Sequence, residues 1–182
     1  MDQLSFVESF RTSPFILTEG AIVERLRHEF QIPLDKHIVH AALIYNDSYR
    51  EILAEIYRQY LQIAADFRLP LMLMTPTRRA NMEQIAESDY RHKNVLADNV
   101  SFLSRFRPGT SIPVYIGGLA GCRGDAYDGR YCLSVEEAME FHFPAVRMMA
   151  EAGVDYLFAG IMPQLTEAIG MANAMAATGL PY

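Results

Sequence analysis

The 182-residue sequence contains no tryptophan and only two cysteines, Cys122 and Cys132. Two thiols are too few for a disulfide framework or a four-cysteine zinc site, so a reducing, cytoplasmic setting is expected. Basic residues are scarce as well: 16 Lys and Arg stand against 22 Asp and Glu, and the net charge is -6. This charge makes nucleic acid or an anionic membrane an unfavourable partner, and we expect neither. No uncharged run approaches the roughly 18 residues of a membrane helix, and no signal peptide is visible at the N-terminus.

Four short apolar runs alternate with longer stretches whose apolar residues recur at helical spacing. The runs, which are the predicted strands, lie at 15–18, 71–75, 112–116 and 154–161. The predicted helices lie at 21–30, 48–67, 81–105, 134–152 and 165–178. Ser48 is the predicted cap of the second helix, and Ser134 with Glu137 forms a predicted capping box. This alternation predicts the α/β class, with a parallel sheet covered by helices.

An apolar residue followed by proline precedes two of the predicted strands and recurs at the end of the sequence. Leu69-Pro70 and Ile112-Pro113 lead into the second and third strands. Leu180-Pro181 has the same form, so we expect it to begin a fifth strand. The sequence therefore predicts four βα units, with any ligand site where the carboxyl ends of the strands meet. A complete (β/α)8 barrel needs about 250 residues, more than this chain provides.

Residues able to contact a ligand follow the first two predicted strands. Glu19 and Gly20 follow the first, and Glu19 could meet an amino or hydroxyl group; the alternative is a turn near a helix N-terminus. Thr75 and Thr77 follow the second, with Arg-Arg-Ala-Asn behind them at 78–81. These hydroxyl, guanidinium and amide groups suit an anion or the carboxylate of an amino acid. The alternative is a polar loop in which a threonine caps the next helix.

The third predicted strand ends in Gly117 and Gly118, and a loop rich in glycine and aspartate follows. The loop is neither a dinucleotide-binding GxGxxG nor a Walker motif. Its glycines would let the backbone approach a ligand, or would simply make the loop flexible. Asp125 could contact a ligand, although turn chemistry explains an aspartate here equally well.

The cysteines and histidines form no recognisable catalytic or metal motif. Cys122 and Cys132 have no histidine nearby in sequence and are interpreted as structural. His142 is interpreted as a packed or surface residue of its helix. The remaining histidines show no HxH or HExxH spacing. The sequence therefore predicts no metal site within the chain and leaves its catalytic residues unknown.

Read in order, six segments resemble the homocysteine S-methyltransferase family, whose members include betaine-homocysteine methyltransferase and the first domain of cobalamin-dependent methionine synthase. The resemblance extends from Phe15 to Tyr182. The segments are Leu17 to Leu26, Thr75-Pro76-Thr77, Gly117 to Gly121 followed by Gly124 to Tyr127 and Gly129-Arg130-Tyr131, Phe141-His142, Ala152 to Asp155, and Pro163 with Glu167-Ala168. No single segment is specific, but their order is typical of this family.

The resemblance implies a (β/α)8 TIM-type barrel, of which residues 1–182 would be a single domain. This domain would be the N-terminal half, incomplete at its C-terminus. It also implies zinc-dependent methyl transfer to the thiol of homocysteine or a similar small thiol, within methionine biosynthesis. The family's three zinc-binding cysteines follow later strands, so its zinc ligands are expected beyond residue 182 and none within this chain. The implied substrate-binding residues are Glu19, Gly20, Thr75, Thr77, Gly117, Gly118 and Asp125.

Two departures from the family motifs concern carboxylates that hold the substrate. The family's aspartate after the first strand falls on Thr18, and its glutamate after the fourth falls on Gly160. Glu19 would have to replace the former from the neighbouring position. The chain alone is therefore expected to be inactive. The alternative is a non-catalytic or repurposed binding segment that self-associates, because an open half-barrel exposes sheet edges and an apolar face that a homodimer would cover.

Overall fold

The structure is a computed structural model that describes residues 4–127 and 132–182. Four parallel strands form one sheet in the order β1-β2-β3-β4, so each strand pairs with its neighbour in sequence. The strands are β1 (Leu17–Thr18), β2 (Leu71–Met74), β3 (Val114–Gly121) and β4 (Tyr156–Gly160). The predicted α/β class with parallel strands alternating with helices is confirmed.

Seven α-helices and one short 3-10 helix connect and cover the strands in the described residues. The α-helices are α1 (Phe6–Thr12), α2 (Ile22–His28), α3 (Asp47–Phe67), α4 (Met82–Glu87), α5 (Val95–Ser104), α6 (Val135–Glu151) and α7 (Leu165–Ala176), and the 3-10 helix is His40–Tyr45. No helix among the described residues is long and apolar enough to cross a membrane. The capping box predicted for Ser134 and Glu137 is present at the start of α6.

The two faces of the sheet have different neighbours. On the helix-facing side, the sulfur of Met149 in α6 lies close to the hydroxyls of Thr75 and Thr77. On the other side, which we call the inner face, Phe6 of α1 stacks on Tyr156 at 4.5 Å between ring centroids. Strand register assigns Met72, Met74, Tyr115, Gly117, Leu119, Tyr156 and Phe158 to the inner face. Apart from α1, no described helix covers this face, and Phe158 is exposed.

Three helix predictions differ from the structure. Residues 81–105 form two helices, because the Ser88 hydroxyl donates to the Ile85 carbonyl and accepts from the Tyr90 amide, which ends α4. Asn46, and not Ser48, caps α3, with its side chain accepting from the Tyr49 amide. Helix α1 was not predicted, although its capping box of Ser5 and Glu8 is a sequence signature of a helix start.

Strand β3 does not end at Gly117 and Gly118 as predicted; it continues to Gly121. Glycine usually weakens a strand, but here every residue from Gly117 onward pairs with β4, as far as Gly121 opposite Gly160. Gly117 is required by packing: a Cβ there would lie 2.3 Å from the Tyr156 ring. The glycines therefore admit the large side chains of β4 and do not form a loop.

The backbone at Pro181 contacts the outer edge of β4. The Leu157 amide donates to the Pro181 carbonyl at 2.9 Å. Leu17 donates in the same way to Pro70, and Leu71 to Pro113, also at 2.9 Å. In both of those pairs the accepting proline lies just before the neighbouring parallel strand. Pro181 therefore accepts from the edge of β4 in the way that Pro70 and Pro113 accept from β1 and β2.

Candidate functional site

Glu19 is a buried carboxylate at the carboxyl end of β1, with only 7% of its surface exposed. Its Oε1 atom accepts a hydrogen bond of 3.0 Å from the Met74 amide of β2, which continues the β1–β2 pairing through a side chain. Its Oε2 atom is buried and has no hydrogen-bond partner among the described residues. Burial disfavours the charged form and raises the pKa of Glu19 to about 7. Glu19 is therefore a carboxylate with one oxygen available to a ligand or proton.

Tyr156 contributes a second unpartnered polar atom to the same part of the sheet. Its ring lies against Gly117, which pairs with Met74, and Met74 contacts Glu19. Its hydroxyl is buried without a partner among the described residues. Burial and the Glu19 charge both raise the pKa of Tyr156, so the phenol stays protonated. No local sequence pattern indicates this residue, because its position depends on pairing between β3 and β4.

Thr75 and Thr77 lie inside the protein, between the sheet and α6. They are 0% and 2% exposed, and their hydroxyl oxygens are 2.6 Å apart. The Thr75 hydroxyl accepts from the Leu119 amide, and the Thr77 hydroxyl donates to the Leu119 carbonyl at 2.7 Å. These bonds join the end of β2 to β3. The two threonines therefore fix the strand ends beneath the site and present no free hydroxyl at its surface.

The three glycines predicted to bind substrate have different surroundings. Gly20 is exposed, has nothing within 4 Å of its Cβ position, and accepts a hydrogen bond of 2.5 Å from the Tyr60 hydroxyl. Gly117 and Gly118 are buried within β3, beneath Tyr156 and against Leu157 respectively. Of these three, only Gly20 leaves open space beside Glu19.

Asp125 belongs to a group of charged residues near the carboxyl end of β3. Its Oδ2 atom lies 3.8 Å from Arg79, and its Oδ1 atom accepts from the Tyr127 amide at 3.0 Å. Arg123, in the same loop, pairs with Glu83 of α4 at 2.6 Å. Asp125 is half exposed and is not brought into contact with Glu19. The predicted loop residues 128–131 lie outside the described residues.

His142 and Glu167 form a buried pair between α6 and α7. They are 2% and 1% exposed, and His142 Nε2 lies 2.9 Å from Glu167 Oε1. The same carboxylate oxygen accepts from the Arg123 amide at 2.6 Å. This pair joins the loop after β3 to both helices, which agrees with a structural role for His142. Sequence reasoning missed Glu167 as its partner because the two residues are far apart in the chain.

The described residues do not fit a metal site. No group of three or more His, Cys, Asp or Glu side chains within residues 4–127 and 132–182 could hold a metal ion. Cys122 is buried and Cys132 exposed, and both are free thiols. Burial raises the pKa of Cys122, which disfavours the thiolate needed for metal binding. We therefore derive no chemical step through a metal from these residues.

An open cavity of about 670 Å³ lies on the inner face, away from the predicted site residues. Apolar and aromatic side chains of α1 and the sheet line it together with the segment 179–182. None of the predicted substrate-binding residues lines this cavity. It is the part of the inner face of the sheet that α1 leaves uncovered.

Comparisons with known proteins agree with these features. The family described as homocysteine S-methyltransferase matches residues 16–182. The homocysteine S-methyltransferase YbgG of Bacillus subtilis (strain 168) is 25% identical over 170 residues, which are 86% of this chain and 53% of that protein.

The fold resembles crystal structures of the homocysteine methyltransferase MmuM from Escherichia coli. The metallated form matches with a TM-score of 0.70 and 21% identity, covering 97% of this chain and 63% of that one. The oxidized form matches with a TM-score of 0.72 and 20% identity, covering 94% and 61%. This chain therefore has the fold of a TIM-barrel methyltransferase and spans between half and two thirds of the length of these relatives.

Proposed function

Because the chain belongs to the homocysteine S-methyltransferase family, we propose that it supplies the amino-acid-binding side of a methyltransferase. The acceptor is homocysteine or a similar small thiol, in a cytoplasmic setting and within methionine biosynthesis. The observation that carries the proposal is the unpartnered Oε2 atom of Glu19. It belongs to a buried carboxylate at the carboxyl end of a parallel strand, where α/β folds bind their ligands.

Glu19 suits the ammonium group of an amino acid. An ammonium has three donors and no acceptor, and a carboxylate oxygen in a dry environment binds it through a charge-assisted hydrogen bond. Thr18 and Gly20, on either side of Glu19, are exposed, so the turn that carries the buried carboxylate lies at the protein surface. Ligand binding then favours the charged form of Glu19, whose pKa burial raises to about 7. Homocysteine binding therefore releases protons near pH 7.

Titration calorimetry with homocysteine tests this role. Glu19→Gln keeps the size of the side chain and removes its charge, and we expect it to weaken binding on the order of tenfold or more. Glu24→Gln, on the exposed surface of α2, is the matched control and should bind as the wild type does. Equal affinity of wild type and Glu19→Gln would exclude Glu19 as the ammonium contact.

The other predicted site residues support the site in different ways. We propose that Gly20 leaves room for the ligand, and that Thr75 and Thr77 hold the end of β2 against Leu119 of β3. Gly117 and Gly118 let β4 pack closely on β3. Asp125 would contact the ligand from the loop, where its carboxylate is half exposed.

We propose that the zinc of the intact enzyme is held by residues outside 1–182, so this chain alone does not catalyse methyl transfer. Elemental analysis of the purified chain, beside the whole protein from its source cells, tests this. We expect zinc with the whole protein and none with the chain. One zinc per 182-residue chain would show that ligands within it were overlooked. Methionine formation, assayed by mass spectrometry with sulfonium, quaternary ammonium and methylcobalamin donors, should likewise occur only with the whole protein.

A second candidate is a binding segment that self-associates and performs no catalysis. The specific observation is the uncovered inner face, where Phe158 is exposed beside the segment 179–182. A second copy that covers this apolar surface would give a homodimer. Light scattering coupled to size-exclusion chromatography should then show twice the chain mass of 20.6 kDa. A monodisperse monomer would remove this candidate, whereas methylation of homocysteine by the whole protein would favour the first.

A further inference from the structure

The loop after β2 carries two neighbouring arginines that are placed differently. Arg79 lies near Asp125, with 3.8 Å between the charged atoms. Arg78 forms no ion pair and donates no side-chain hydrogen bond within the described part of the chain. Arg78 is nevertheless only partly exposed, so its side chain is not simply extended into solvent.

The aliphatic part of Arg78 packs across the carboxyl ends of β3 and β4. A Cβ atom at Gly121 would lie 2.8 Å from Arg78 Cγ and 2.5 Å from the Arg78 carbonyl oxygen. A Cβ atom at Gly160, which pairs with Gly121, would lie 3.7 Å from Arg78 Cδ. Gly121 thus makes room for the arginine, whereas a Cβ atom at Gly160 would only touch it at an ordinary contact distance. The packed side chain therefore lies at the end of the sheet where ligands bind in parallel α/β folds.

Among residues 4–127 and 132–182, the charges around this loop leave the Arg78 guanidinium without an ion-pair partner. Arg79 lies near Asp125, and Arg123 pairs with Glu83 at 2.6 Å. The other nearby carboxylate, Glu167, is buried and engaged by His142 and the Arg123 amide. Within the described residues, this end of the sheet therefore has one more guanidinium than it has exposed carboxylates. The chain as a whole has the opposite balance, with a net charge of -6.

We infer that Arg78 is the oxyanion-binding residue of the site and that it takes the carboxylate of the amino-acid acceptor. This inference rests on the proposed function, which supplies an acceptor with both an ammonium and a carboxylate. A guanidinium presents a planar set of donors that matches the two oxygens of a carboxylate. Arg78 is held by packing before the ligand arrives, so less side-chain entropy is lost on binding.

Two thiols that differ only in the carboxylate test the inference. Homocysteine and 3-aminopropane-1-thiol, which lacks the carboxylate, are titrated calorimetrically into wild type, Arg78→Gln, Arg78→Lys and Arg91→Gln. Wild type should prefer homocysteine on the order of 10-fold to 100-fold. Arg78→Gln should lose that preference and bind the amino thiol unchanged. Arg78→Lys should regain part of it, since it restores the charge without the planar fork.

Arg91→Gln, at an exposed position, is the control and should behave as wild type does. An Arg78→Gln variant that keeps its preference for homocysteine would overturn the inference. Equal weakening of the binding of both thiols by Arg78→Gln would also overturn it, because such a result indicates general damage to the site.

A second measurement keeps the inference testable if wild type binds neither thiol, which would count against the proposed function alone. The Arg78 Nε–H resonance is assigned by its absence from Arg78→Gln and followed while sodium propionate or inorganic phosphate is added. A saturable shift with propionate supports a carboxylate site. A shift with phosphate alone would indicate that Arg78 binds phosphate esters, and it would contradict the assignment of Arg78 to the carboxylate of an amino acid. No shift with either probe overturns the inference altogether.

Discussion

Glu19 and Glu167 are both almost fully buried carboxylates, with 7% and 1% of their surface exposed, but their partners differ. Glu167 lies between α6 and α7, where one of its oxygens accepts from both the Arg123 amide and His142. Glu19 lies at the end of β1, where one oxygen accepts from the Met74 amide and the other has no described partner. The two sites show how burial alone says little about the role of a carboxylate.

The difference between the partners of Glu19 and Glu167 indicates which buried polar groups are candidates for a function. A buried group whose hydrogen-bonding atoms are all engaged stabilises the fold, because removing it leaves its partners unsatisfied. A buried group with a free atom costs stability unless something outside the structure completes it. Glu167 resembles the first kind, because neither of its oxygens is both buried and without a partner among the described residues, and Glu19 belongs to the second. Substitution and pH should therefore affect the two residues in different ways.

The largest expected effect is the loss of stability caused by Glu167→Ala. The substitution removes the carboxylate oxygen that accepts from the buried His142 ring and from the Arg123 amide. We expect the free energy of unfolding in urea to fall by about 3 kcal/mol or more. Glu140→Ala, on the exposed side of α6, is the control and should change it by less than about 0.5 kcal/mol. A loss no larger than that of the control would contradict the structural role of Glu167.

The raised pKa of Glu19 should make the stability of the protein depend on pH. Burial raises its pKa from 4.5 to about 7 in the folded protein. The folded state then binds the proton more tightly than the unfolded state, so the contribution of Glu19 is fully present below pH 4.5. It is lost as pH rises through about 7. Over this range the Glu19 contribution should fall by roughly 3 kcal/mol.

Urea unfolding at several pH values between 4 and 8.5 measures this loss. Wild type should lose stability relative to Glu19→Gln as pH rises, because the glutamine does not ionise. A constant difference between the two proteins across the range would show that Glu19 titrates normally.

Most of the architecture could be predicted from local pattern, and the exceptions have identifiable causes. Apolar runs ending in small or polar residues are typical of buried parallel strands, and all four were found near their predicted positions. The end of β3 was mistaken because glycines that end many strands here make room for Tyr156. The division between α4 and α5 depends on the hydroxyl of Ser88, a single side chain that weighs little in a helical pattern.

The candidate site was less predictable, because its distinguishing features arise between distant segments. The position of Glu19 at a strand end could be predicted from the sequence alone. The hydrogen bond that its side chain accepts from the Met74 amide could not, because Met74 lies in another strand. Thr75 and Thr77 are recognisable by their position after a predicted strand, but the bonds of their hydroxyls to Leu119 depend on a neighbouring strand. Arg78 has no ion-pair partner in the described part of the chain because Arg79 and Arg123 contact the nearby exposed carboxylates, and no local sequence pattern indicates those contacts.

Alanine substitutions at Gly117 and Gly20 test whether the Tyr156 ring packs on Gly117. A methyl group added by Gly117→Ala would meet the Tyr156 ring at 2.3 Å, so the ring or the strand must move. We expect a loss of about 2 kcal/mol in the free energy of unfolding. Gly20→Ala, with nothing within 4 Å of the new methyl group, should change it by less than about 0.5 kcal/mol. Equal stability of the two variants would mean that Tyr156 does not rest on Gly117.

The smallest expected effect is the difference in stability between phenylalanine variants of two buried tyrosines, one whose hydroxyl is hydrogen-bonded and one whose hydroxyl has no described partner. The Tyr57 hydroxyl donates to the Met74 carbonyl at 3.1 Å, whereas the Tyr156 hydroxyl has no described partner. Tyr57→Phe leaves that carbonyl short of a donor and should cost about 1 kcal/mol. Tyr156→Phe removes a buried hydroxyl that bonds to none of the described residues, so stability should stay the same or rise slightly. A loss for Tyr156→Phe as large as that for Tyr57→Phe would mean that the Tyr156 hydroxyl is engaged in solution. In that case Glu19, whose charge raises the pKa of Tyr156, is the first partner to test, by combining Tyr156→Phe with Glu19→Gln.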